Sequence, residues 1–78
     1  MQVFLITYFW RKIIKKKIIK LSTVKDITAL SSATIYRLIQ KGEFPKQIKL
    51  SERSSGWLLE EIYNWLEQRI TYRDGENS

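Results

Sequence analysis

Between Ser31 and Lys41 the chain places hydroxyls, a phenol, a guanidinium, a carboxamide and an ammonium, with no carboxylate among them. The donors are Ser31, Ser32, Thr34, Tyr36, Arg37, Gln40 and Lys41. Their chemistry is recognition of oxygen-rich, negatively charged surfaces. A guanidinium at Arg37 can fork onto guanine O6 and N7 or clamp a phosphate. Hydroxyls and amides at a helix start suit a sugar-phosphate chain, and the Tyr36 hydroxyl could reach a phosphate. A second group lies further along, with Lys46 and Lys49 beside a short strand and Arg53 and Ser54 in a polar loop. Lys46 and Lys49 would supply sequence-independent attraction, and Arg53 could enter a minor groove.

Bond-making chemistry is much harder to assemble. The chain has no histidine and no cysteine, so it lacks the usual neutral-pH base, thiolate ligands and disulfides. Ser54 and Ser55 have no base to activate them. Three glycines cannot build a phosphate-cradling loop. Glu60 and Glu61 are adjacent at the start of a predicted helix, where carboxylates complement the dipole. The sequence predicts no enzyme, no cofactor and no metal site.

Charge is unevenly distributed. Residues 1–50 hold eleven Lys or Arg against Asp26 and Glu43, and residues 51–78 hold three against six carboxylates. A first half near +9 and a second near −3 imply a polyanionic partner for the first. With 78 residues, this is one domain with a small core to which ten aromatic residues contribute bulk.

The elements that must position these groups follow from periodicity. "IIKL" from Ile18 reads as a brief strand, and Ser22 or Thr23 is expected to cap the helix in "TVKDI". Thr23 and Asp26 approximate a capping box, with Val24 and Ile27 pointing inward. Thr28-Ala29-Leu30 make a turn. Ser31 caps a second helix through an amide near Ala33 or Thr34, and Gly42 ends it in the left-handed region. That helix sets Ile35, Leu38 and Ile39 inward and Ala33, Tyr36, Arg37 and Gln40 outward, flanked by Thr34 and Lys41. "KQIKL" alternates as a half-buried strand with Ile48 and Leu50 inward, and a five-residue loop from Ser51 to Ser55 leads into "GWL". A closing helix from Leu59 to about Tyr72 aligns Leu59, Ile62, Trp65, Leu66 and Arg69. Phe44 packs back on the core and Pro45 blocks helix continuation.

The predicted fold is mostly α with a small antiparallel β-hairpin, a winged helix-turn-helix. Residues 17–72 form the domain, 1–16 an N-terminal extension, and 73–78 a frayed tail. The extension runs apolar through Trp10 and then basic, the reverse of a secretory signal and far short of the roughly 20 residues needed to span a bilayer. It reads as an extra packed element, a basic amphipathic segment, or upstream sequence from an early start codon.

The run "IIKLSTVKDITALSSATIYRLIQKGEFPKQIKLSERSSGWLLEEIYNWLEQRI" resembles the AlpA family of prophage regulators. That family belongs to the MerR-like winged helix-turn-helix group, which includes small phage excisionases. The resemblance covers about Lys17 to Thr71. It rests on "LSSATIYRLIQKGEFPK", "IKLSERSSGWL" and the Trp of "IYNWL". It implies a cytoplasmic DNA-binding regulator of integrase or excision genes, or an excisionase that bends attachment-site DNA. A membrane-surface or protein-binding module is a more distant alternative. By position, Thr34, Tyr36 and Arg37 match the recognition helix, Arg53 and Ser54 the wing, and Trp57 and Trp65 core aromatics. The family commonly has glycine at the turn, where this chain has Ala29, and arginine then serine after the cap, where it has Ser32 and Ala33. The family's usual serine before the last helix is replaced near Glu60. The implied partner is double-stranded DNA, bound by a homodimer or by cooperative copies.

Overall fold

A computed structural model describes residues 16–77, with side chains through residue 75. The expectations for the first 15 residues lie outside it. The chain runs β1 (Ile18–Ile19), α1 (Leu21–Thr28), α2 (Ser32–Gln40), β2 (Ile48–Ser51), β3 (Ser54–Leu58) and α3 (Leu59–Asn77). The strands form one antiparallel sheet in the order β1-β3-β2. Three helices and a small sheet give the winged helix-turn-helix the sequence predicted.

One core holds the elements together. Val24 of α1, Ile35 of α2, Trp57 of β3 and Ile62 of α3 are almost completely buried. Ile19, Phe44 and Leu59 complete the buried set, with Ile27, Leu38, Ile39 and Trp65 packed around it. Every helix therefore contributes from one face only, as their apolar spacing requires. Fully burying side chains of this size stabilises by about 1.5–3 kcal/mol each before chain entropy is counted.

Several local expectations are corrected. The α1 N-cap is Lys20, with no side-chain bond; Ser22 and Thr23 already lie within the helix. Backbone Thr23 and Val24 N–H both donate to Lys20 O at 3.0 Å, so the first turn closes without a capping box. The strand at "IIKL" shrinks to Ile18–Ile19 because Leu21 opens that helix. The hairpin loop is two residues, Glu52 and Arg53, because Ser51 and Ser54 pair across it. Leu50 is 46% exposed rather than inward-facing. A bulge between Lys49 and Ser51 interrupts the alternation there. Finally, α3 continues beyond Tyr72 to Asn77, so the segment expected as a tail begins in helix.

Candidate nucleic-acid interface

The turn between α1 and α2 sets the angle at which α2 leaves the body. Thr28 Oγ1 donates to Val24 O at 2.8 Å and accepts from Leu30 N–H at 3.3 Å, replacing helical bonds lost at the corner. Ala29 takes φ 59°, ψ 25°, the left-handed conformation. A Cβ in that region is disfavoured, so alanine holds here a conformation that glycine would adopt without strain.

Ser31 then caps α2 as expected. Its Oγ accepts from Thr34 N–H at 3.2 Å and donates to Thr34 Oγ1 at 3.0 Å. At the far end Gly42, at φ 73°, sits between two bonds: Gly42 N–H to Ile39 O at 3.0 Å and Glu43 N–H to Leu38 O at 2.9 Å. This paired arrangement stops the helix and redirects the chain. The next segment is held by two indoles. Trp57 Nε1 donates to Pro45 O at 3.0 Å, and Trp65 Nε1 to Glu43 O at 2.7 Å. Phe44 meets Trp65 edge-on with centroids 4.8 Å apart, and the Arg69 guanidinium lies 4.9 Å from the Trp65 ring centroid. The exit of α2 is thus fixed to both the sheet and α3.

With α2 anchored at both ends, Ala33, Tyr36, Arg37, Gln40 and Lys41 are exposed, and Ser32 and Thr34 are half-buried. Arg37 stands clear of the interior, and Ile35 is fully buried on the opposite side. No acidic residue lies in the first turn, and none occurs between Asp26 and Glu43. Tyr36 is 40% exposed, leaving part of its ring accessible.

The hairpin supplies the second part. Lys46, Lys49 and Arg53 are exposed, with Arg53 in the two-residue loop. Ser54 is half-buried, and its hydroxyl accepts from Lys20 Nζ, so it already has a partner within the chain. Lys20 was not among the sequence candidates. Its signal was available: if Ile19 faces inward, period-two alternation sends Ile18 and Lys20 to the other side. The candidates therefore fall into two clusters, one on α2 and one on the hairpin. Ser31 is engaged as a cap and Ser54 as an acceptor. Among the described residues no group of acidic, histidine or cysteine side chains could hold a metal. No described helix is long and apolar enough to cross a membrane.

The described residues form a winged helix-turn-helix with an exposed, cationic outer face on its second helix, and comparison with known proteins gives its family. Residues 17–70 match the family described as Prophage CP4-57 regulatory protein (AlpA). An uncharacterized protein, ORF88 of Enterobacteria phage P4, is 38% identical over 61 residues, covering 78% of this chain and 69% of that protein. The chain belongs to the AlpA family of prophage regulatory proteins.

Proposed function

We propose that this protein binds double-stranded DNA and regulates integrase or excision genes of a prophage or integrated element. In this reading α2 enters the major groove, where Arg37 reads a base and Tyr36, Gln40 and Lys41 contact neighbouring edges or backbone. Ser31, Ser32 and Thr34 approach the phosphates at the helix start, and Arg53 and Ser54 carry the wing onto flanking backbone or minor groove. Lys46 and Lys49 add attraction that is independent of sequence. The observation that carries the reading is the outer side of α2, exposed, cationic and without a carboxylate. Membership of a regulatory family supports the same conclusion.

This role requires no bond-making step and no cofactor, and it places the protein in the cytoplasm with the DNA. One short helix covers few base pairs, so useful specificity calls for a dimer or for side-by-side copies on repeated sites. Selection of bound duplexes from a random pool at moderate salt tests the reading. A preferred sequence, with affinity falling steeply as salt rises, is the expected result. Failure to retain any duplex at low salt would reject DNA binding. Strong bending of an attachment site without any promoter response would move the role to excision.

A further inference from the structure

The face of the sheet turned away from the core is apolar, although the hairpin is otherwise polar. Ile19 and Trp57 pair in register and are buried, so their neighbours project to the opposite side. There Ile18 pairs with Leu58, and Ile48 with Gly56. A Cβ on Gly56 would lie 2.5 Å from Ile18 Cγ2 and 3.3 Å from Leu50 Cδ1, so those two side chains close over the glycine from both edge strands. Ile18 and Leu50 remain 37% and 46% exposed. The basic residues Lys16, Lys17 and Lys20, all exposed, flank β1.

A face of the opposite kind lies on α3. Glu60, Tyr63, Glu67, Ile70 and Asp74 recur at alternating intervals of three and four, so they share one stripe. Tyr63 and Ile70 are 46% and 44% exposed, Glu67 is exposed, Glu60 is half-buried, and the exposed Asp74 is already paired with the Arg73 guanidinium at 2.9 Å. Apolar positions alternate with acidic ones along the stripe. Singly exposed apolar residues need no explanation, but an apolar patch edged in lysine and an apolar stripe edged in carboxylate match each other.

We infer that the α3 stripe of one copy packs on the outer sheet face of a second copy. Tyr63 and Ile70 would meet Ile18, Ile48 and Leu50, with Glu67 opposite Lys17. The two surfaces differ, so the contact is head-to-tail and leaves a free face at each end. It does not depend on the DNA reading and can be measured without nucleic acid.

Sedimentation equilibrium on the full chain at low salt is the test. Wild-type protein should show a mass above the monomer that rises with concentration and falls with added salt. Leu50→Glu and Ile70→Glu should each weaken association by about tenfold or more, since each puts a carboxylate at the apolar centre. An equimolar mixture should then form a 1:1 complex, because the Ile70→Glu copy retains the sheet face and the Leu50→Glu copy the stripe. Lys17→Glu and Glu67→Lys should each weaken association without altering an apolar position, and mixing them should restore it beyond a 1:1 complex, because the two reversed charges also match each other. A wild-type chain that stays monomeric would overturn the proposal. So would dissociation by Ile70→Glu with no effect of Leu50→Glu, which indicates a symmetric helix-to-helix contact.

Discussion

Helices α2 and α3 are built alike on the inside and differently on the outside. Each buries an isoleucine completely in the same core, Ile35 in one and Ile62 in the other. Outward, α2 and its C-cap show Arg37, Gln40 and Lys41 with no carboxylate, whereas α3 mixes Glu61, Glu67 and Asp74 with Arg69 and Arg73, the last of which pairs with Asp74. A polyanion is therefore favoured at α2 over α3, where carboxylates offset the arginines. The inward residues fix the fold, and the choice of partner is left to the outward ones.

Removing the shared support should have the largest effect. Trp57→Ala deletes a core side chain and its bond to Pro45 O, and should cost about 3–5 kcal/mol. A domain this small has little stability beyond that, so thermal denaturation followed by circular dichroism should show both helices lost together. Arg37→Ala should leave the melting temperature nearly unchanged and lose about 1–3 kcal/mol of DNA affinity, with relaxed preference at one base position. Gel-shift titration across single-base variants checks it, and undiminished affinity with unchanged preference would remove Arg37 from base reading. Lys49→Ala should cost less, weaken all sequences equally, and lower the slope of log affinity against log salt by about 0.9. Salt titrations on a preferred and a random duplex measure that slope.

Ala29→Gly should have the smallest effect, and in the stabilising direction. Glycine relieves the left-handed strain at φ 59° but adds freedom to the unfolded chain, for a net gain of about 0.5–1 kcal/mol. Urea denaturation would show the gain, and DNA affinity should stay unchanged because the turn only aims α2.

Features carried by one residue type in one local role were legible in the sequence. Ser31 could be read as a cap and Gly42 as a stop because each is preferred there for its own local bonding or backbone reason. Val24, Ile35 and Ile62 could be read as core from spacing alone. What was missed depends on distant partners. Ser22 and Thr23 are good caps, yet the helix begins earlier because Leu59 N–H donates to Lys17 O and β1 pairs with β3. Nothing within residues 17–23 reveals that pairing. Leu50 follows the alternation of a buried strand residue, but the bulge depends on how β2 meets β3. Ser54 illustrates the same limit at the candidate interface, because the lysine that occupies its hydroxyl lies 34 positions away.

The indole contacts around Glu43–Pro45 have a practical consequence. Trp57 and Trp65 flank the segment through which α2 leaves the body, so their ultraviolet emission is an intrinsic optical gauge of that helix's seating. Loosening of the joint should expose the rings to solvent and shift the emitted light to longer wavelength. With Trp10 replaced by phenylalanine, the signal would come from these two rings alone, and the helix could be watched without any attached dye.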